Sequence, residues 1–301
     1  MADLTLLDVA RLQGADEEVG VIEENLKAAP ELATIPFKLI KGTSYLAVIR
    51  AALAQGSFRD ANTGSAAKKS TWTNKKVECY FYDQILKCDE MVKKANQGEM
   101  IDLFAEEESG GFIGMGQYIS TQTYYGRSNG GDAKGFPGFL DVLDSTMVVD
   151  AAGTGSATTS AWLAHLGKTG VRYVGGNEEI PKFGEWLETM LQDGSSNPYR
   201  GWFNNISGYI GLQLGHSKSV CRIKNITAAK PLTYALISKA WSLFPAGMKP
   251  NAIFVNSNGW QTLQASLTAT TPTGLPAPFP EEAFKMPIIV TDGITSTEVA
   301  A

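Results

Sequence analysis

The chain has 301 residues, 44% of them hydrophobic and 19% charged, enough apolar content to bury a core and to exclude a disordered tail. Lys and Arg total 26 against 31 Asp and Glu, so a formal charge of -5 leaves no basic excess for gripping a phosphate backbone. Three cysteines, Cys79, Cys88 and Cys221, lack the spacing of a disulfide framework and suit a reducing compartment.

Met1 to Leu12 mixes Asp3, Asp8 and Arg11 among apolar residues and so lacks the regions of a signal peptide. No run reaches the roughly 18 apolar residues of a membrane-spanning helix, and a soluble protein with no membrane partner is expected. Asn205-Ile-Ser207 and Asn225-Ile-Thr227 match the glycosylation acceptor pattern, a coincidence where nothing signals export.

From Asp16 the spacing of Val19, Ile22, Glu23 and Leu26 predicts a short amphipathic helix that Pro30 ends. Leu32 to Lys41, with Pro36 inside, reads as an extended arm without a packed element. Two β-rich runs, Tyr45–Arg50 and Lys76–Tyr82, flank the polar segment Ser57 to Asn74 and predict a long hairpin with a mobile tip. From Asp83 to about Tyr125 the spacing is helical, through Ile85, Leu86, Met91, Val92, Ile101, Leu103 and Phe104 to Phe112, Met115 and Ile119. Gly98, Gly110, Gly111, Gly114 and Gly116 interrupt it, which predicts a broken helix or close packing against another backbone.

Phe139 to Ile226 reads as mostly β, with strands at Thr146–Val149, Thr159–His165, Val171–Val174, Ile206–Leu214 and Ser219–Ile223. A final block from Pro231 predicts a helix with Leu232, Ala235, Leu236, Ala240, Trp241 and Phe244 on one face. The strand Ala252–Val255, a helix through Trp260 and Leu263, a loop from Thr268 to Pro280 and the strand Met286–Val290 follow, a small α/β unit.

The search for chemistry finds little. Gly126-Arg-Ser-Asn-Gly130 matches the G-x-S-x-G nucleophile pattern, but it follows a helical stretch instead of a buried strand and reads better as a loop. Gly167-Lys168-Thr169 imitates the end of a P-loop, yet Trp162 stands where its first glycine belongs, and a β-turn is expected. His165 and His216 are each alone locally, and the runs Glu106–Glu108 and Glu178-Glu179 read as solvated faces. No catalytic residue, cofactor or metal site is assigned. Trp162, Trp186, Trp202, Trp241 and Trp260 read as core or interface anchors.

The order of these elements resembles the Hong Kong 97-like capsid fold of tailed-bacteriophage major capsid proteins. Local strings carry the likeness: Glu23-Glu-Asn-Leu-Lys-Ala-Ala-Pro-Glu-Leu32, Gly42-Thr-Ser-Tyr45, Gly56-Ser-Phe-Arg-Asp-Ala-Asn62, Thr123-Tyr-Tyr-Gly126, Gly153-Thr-Gly-Ser-Ala-Thr-Thr-Ser160, Cys221-Arg-Ile-Lys-Asn-Ile226 and Met286-Pro-Ile-Ile-Val-Thr-Asp292. The resemblance implies an α+β chain divided into an N-terminal arm (1–41), an E-loop hairpin (42–82), a P-domain with a spine helix and a β-rich block (83–227), and an α/β A-domain (228–301). It departs from the fold's type member in placing the β-rich block before the α/β segment Asn251 to Leu263.

The resemblance also implies a shell subunit of the virion, made in the host cytoplasm, that self-assembles into pentameric and hexameric capsomers and encloses double-stranded DNA without reading its sequence. Scaffolding, portal and decoration proteins are further partners of such shells. Some relatives crosslink subunits through an E-loop lysine, here Lys68 or Lys69, but no partner asparagine or carboxylate is legible and crosslinking is not expected. The physical reading agrees. A polar hairpin tip and a proline-containing arm hold too little apolar surface to offset roughly 1–2 kcal/mol per residue of backbone ordering, so they are expected to order on neighbours. The contact residues are then Phe58, Arg59, Asp60, Asn62, Lys68, Lys69 and Trp72 in the hairpin and Ile35, Pro36 and Phe37 in the arm. Two other readings are a serine hydrolase using Ser128 with His165 or His216, and a minor virion structural protein.

Overall fold

The computed structural model describes residues 27–96, 102–128, 130–178, 181–270 and 276–300. The helix expected between Asp16 and Leu26 lies outside them. The strands are β1 (Phe37–Leu39), β2 (Ser44–Ala52), β3 (Thr71–Glu78), β4 (Tyr80–Asp89), β5 (Val148–Asp150), β6 (Thr159–Ala164), β7 (Val171–Gly175), β8 (Lys182–Phe183), β9 (Leu187–Gln192), β10 (Pro198–Leu214), β11 (Val220–Ile226), β12 (Ala252–Val255), β13 (Glu282–Ala283) and β14 (Met286–Val290). β2 and β3 pair only with each other. A first sheet runs β1-β7-β10-β4, with β8 and β9 also on β10, and a second runs β13-β14-β12-β6-β11-β5.

The second sheet is buried on both faces, which explains why its strands read as near-continuous apolar runs. Along β6, Trp162 and Ala164 enter one core cluster while Ala161 and Leu163 enter another; along β12, Ala252 and Phe254 divide from Ile253 and Val255 in the same way. The helices Tyr234–Leu243 and Ser257–Thr270 cover one face through Ile237, Ala240 and Leu263. Ala235, expected on the buried side of the first of these helices, is exposed, and Ile237 takes its place. Because β6 pairs with both β11 and β12, this single sheet crosses the expected division at residues 227 and 228.

The other face of the second sheet meets the first sheet across the long helix Leu103–Tyr125. Asp102 caps that helix by accepting from the Phe104 amide at 3.0 Å. Gly126 ends it with φ +60, at a place where any Cβ would collide with Asp141 and the Gly138 backbone. Tyr124 sits at the centre, its ring 5.6 Å from Phe139, 6.2 Å from Trp162 and 6.1 Å from Phe254. Gly110, Gly111, Gly114 and Gly116, expected to break the helix, leave it continuous, and Gly98 lies outside the described residues. A Cβ at Gly111 would lie 3.3 Å from the side chains of Ile206 and Gln84, so this glycine seats the helix on side chains of β10 and β4 and not on another backbone.

Three further expectations change. Asp83 to Asp89 is strand, not helix: Tyr80, Tyr82, Gln84 and Leu86 alternate with the more exposed Phe81, Asp83 and Ile85, and β4 pairs with β10 from Tyr80↔Ile210 to Asp89↔Gly201. Helix begins only at Glu90, where Asp89 accepts from the Met91 amide at 2.7 Å. Thr146 lies in a 3₁₀ turn, Ser145–Met147, capped by Asp144 ahead of β5. The arm from Leu32 to Lys41 contains a helical turn, Glu31–Thr34, and β1, which lies parallel to β7.

Ile35 is therefore core rather than contact surface, 1% exposed and clustered with Met115, Ile119 and Tyr124. Glu31, also buried, fixes the arm to the long helix by accepting from Ser120 Oγ at 2.9 Å and from the Tyr124 hydroxyl at 2.7 Å. Replacing Ile35 with Ala is expected to cost about 2–5 kcal/mol of subunit stability, and Phe37→Ala clearly less, as read by chemical denaturation of the unassembled chain.

Candidate inter-subunit interface

The hairpin β2–β3 is rooted in the body at one end. Val77 is buried with Ile40 and Val174, and the Lys75 ammonium donates to the Leu214 carbonyl at 2.8 Å. Tyr45 carries Lys38 over its ring at 4.1 Å and donates its hydroxyl to Gln213, which also accepts from Arg172 Nε at 2.6 Å. Burial pushes the Tyr45 phenol above its usual range.

Beyond that root the ribbon shows one face to solvent. The register pairs Leu46 with Lys76, Val48 with Asn74 and Arg50 with Trp72, so these side chains share a face. Leu46 is 62% exposed, Val48 63% and Trp72 58%, and Arg50 lies over the Trp72 ring at 4.3 Å. At the tip Leu53 and Phe58 are exposed as well. A short turn holds the tip, with Thr63 Oγ1 donating to the Asp60 carbonyl at 2.8 Å, Arg59 to the Thr63 carbonyl at 2.8 Å, and Asn62 in the left-handed region that asparagine tolerates. Lys68 and Lys69 stand exposed with no partner among the described residues. Six of the expected hairpin contacts thus lie at the tip and Trp72 lies on the ribbon face. In the arm, Pro36 is exposed while its carbonyl accepts from the Tyr173 amide at 2.9 Å, and Phe37 rests 6.2 Å from the Tyr173 ring.

Two further groups of exposed apolar side chains went unread in the sequence. On the outer face of the first sheet Phe81, with its ring 4.6 Å from that of Tyr209, is accompanied by Ile85 and Leu187, and Phe112, Ile113 and Tyr118 stand out from the long helix. The two-residue alternation from Tyr80 to Asp89 was the signal that marks the first group. An open groove of about 450 Å³, with Tyr82, Tyr118 and Asp132 on its walls, lies between β4 and that helix.

The catalytic candidates do not converge. Ser128 Oγ donates to Asp141 at 2.8 Å, whereas His165 Nδ1 is bonded to the Lys249 carbonyl at 2.7 Å and His216 Nδ1 accepts from the Lys218 amide at 2.9 Å. Neither histidine is bonded to Ser128, so the serine–histidine pair that the hydrolase reading needs is not formed here. Gly167 forms a turn between β6 and β7, its carbonyl accepting from the Gly170 amide at 3.2 Å. Among the described residues no group of acids, histidines and cysteines has the spacing of a metal site, and no helix is long and apolar enough to cross a membrane.

The chain is similar to a chain in the structure of bacteriophage Epsilon15, with a TM-score of 0.74 and 16% identity over 100% of this chain and 98% of that one. It is similar to the capsid of bacteriophage JBD30, with a TM-score of 0.56 and 11% identity over 97% and 99%. The fold is accordingly the Hong Kong 97-like capsid fold. No curated protein matches the sequence. The family model of major capsid protein GP7 matches residues 16–299, and the chain belongs to that family; it is a capsid subunit of the virion.

Burial raises the Cys79 and Cys88 thiols to about 11 and Cys221 to about 12, so at pH 8 almost no thiolate is present. Iodoacetamide at that pH is expected to leave Cys88 and Cys221 unmodified in the native subunit and to alkylate all three in guanidinium, as read by mass spectrometry. Ser128→Ala is expected to change neither particle yield nor background hydrolysis of an activated ester.

Proposed function

We propose that the chain is the repeating unit of an icosahedral head, joined to its neighbours in pentameric and hexameric capsomers chiefly through the hairpin. The observation that carries this reading is the outward ribbon face, where Leu46, Val48, Trp72 and the tip residue Phe58 remain exposed in the isolated subunit. Five large apolar side chains with Leu53 on one 35-residue projection are more than solvation explains, and contiguous apolar patches of this kind mark interaction sites. Heterologous contacts between identical chains close into rings, which is how one hairpin joins each subunit to the next.

On this reading the hairpin is the E-loop, the long helix is the spine, the first sheet is the P-domain and the second sheet with its two helices is the A-domain. The shell encloses double-stranded DNA; a net charge of -5 supports containment without sequence readout. Portal, scaffolding and decoration proteins are partners of the completed shell. Synthesis takes place in the host cytoplasm, and the action is structural rather than catalytic, which the dispersed Ser128, His165 and His216 support.

The test is the paired substitution Phe58→Ala and Trp72→Ala. Buried aromatic anchors at interfaces contribute on the order of 2 kcal/mol or more each; within the subunit Phe58 is fully exposed and Trp72 packs against Arg50 on the open ribbon face. The double variant is expected to keep the wild-type thermal unfolding curve while losing particles in sedimentation and negative-stain microscopy. Particle formation at wild-type yield would sink the assignment of the hairpin as the principal contact.

A further inference from the structure

One edge of β10 carries a gap in its pairing. β8 lies against Ile206 and Ser207 and β9 against Pro198 to Phe203, so on this side Asn204 and Asn205 have no strand beside them. The chain crosses the gap at Gly184, which is exposed and whose amide donates to the Asn205 carbonyl at 2.8 Å. The three atoms nearest to a Cβ built on Gly184 are all oxygens: Asn205 Oδ1 at 3.1 Å, Asn204 Oδ1 at 3.2 Å and the Asn205 carbonyl at 3.5 Å.

The acids behind the two amides decide which end of each faces the gap. Asn204 Nδ2 donates to Glu108 on the long helix at 2.8 Å and Asn205 Nδ2 donates to Asp83 on β4 at 3.3 Å, so both amides turn their oxygens toward Gly184. Donation to a carboxylate also polarises an amide and enriches its oxygen in negative charge. Asn204 is fully buried, yet its Oδ1 accepts no hydrogen bond among the described residues. An orphaned acceptor in so dry a place is costly and points to an occupant. Glu108 and Asp83 form no ion pair with Lys or Arg among the described residues, so their charge reaches the gap without compensation there.

Oxygens without donors, backed by negative charge, are the surroundings that a hard cation requires. We propose that the gap beside Gly184 binds a calcium ion, with Asn204 Oδ1, Asn205 Oδ1 and the Asn205 carbonyl as its protein ligands and water completing the shell. Calcium accepts about 6–8 oxygens in irregular arrangements, amide and main-chain carbonyls among them, whereas magnesium demands a near-octahedral set. Glu108 and Asp83 are positioning residues that hold the amides in place. Because the protein ligands are neutral, the dissociation constant is expected on the order of 10⁻⁴–10⁻³ M. The ion fastens the segment that leads to Trp186, whose ring stacks on Phe104 at 4.0 Å, to β10. The site lies within one subunit and stands apart from the shell reading.

Calorimetric titration of the full unassembled chain, stripped with EDTA and dialysed, is expected to show a single calcium ion per chain, and the thermal unfolding midpoint is expected to rise as calcium is added. Gly184→Ala puts a methyl group into the gap at a backbone angle that alanine accepts, and is expected to lose both the binding heat and the shift. Asn205→Ala, which removes one ligand at a half-buried position, is expected to do the same and serves if Gly184→Ala does not unfold cooperatively without calcium. No binding heat from the wild-type chain up to about 10 mM calcium would overturn the proposal and leave a water molecule as the occupant. Undiminished binding by either folded variant would overturn it as well, and so would an equal response to magnesium.

Discussion

A two-stranded ribbon has no second layer, and that constraint governs how this chain is used. Strand pairing satisfies the backbone of β2 and β3, but pairing alone buries no side-chain face, and isolated hairpins are marginal in water. The root gains a layer from Ile40, Val174 and Gln213; beyond it Leu46, Val48, Trp72 and Phe58 remain exposed. On the proposed reading assembly supplies the missing layer, and completion of the fold and construction of the shell become one event.

The body is built to withstand that demand. Its two sheets are tied through one aromatic cluster around Tyr124, and two buried carboxylates lock the chain's outer segments to it. Glu31 holds the arm to the long helix. Glu298 holds the last described residues, accepting from the Tyr125 hydroxyl at 2.7 Å and Ser160 Oγ at 2.5 Å and pairing with Arg222 at 3.0 Å. Charge-assisted bonds in so dry a place are strong and directional, and each ties residues far apart in sequence.

The hairpin was legible because its signals are local: two β-rich runs around a polar segment. The helix wrongly placed from Asp83 failed for an equally local reason, since Ile85, Leu86, Met91 and Val92 imitate a helical face while the real periodicity of Tyr80 to Asp89 is two. Ile35 was misassigned because Pro36 suggested a loose arm, and its partners Met115 and Tyr124 lie some eighty residues and more away. The sheet that crosses residues 227 and 228 depends on β6 pairing with both β11 and β12, a long-range choice that no window of local sequence contains. The outer stripe of Phe81, Ile85 and Leu187 was hidden by the same error, for a residue's face is undefined until its period is known.

Cys79 alone separates β3 from β4, so the ribbon and the first sheet share one uninterrupted stretch of extended backbone. The Cys79 amide donates to the Thr43 carbonyl at 2.8 Å, bracing the junction where the chain passes from one sheet to the other. Tension applied at the tip therefore enters β4 along its axis and loads the ladder to β10 in shear, with many rungs resisting at once instead of opening one by one. If the hairpin joins neighbouring subunits as proposed, the projection becomes a tie-rod anchored in the first sheet, whose ten β4–β10 pairs share the load before any single bond carries it.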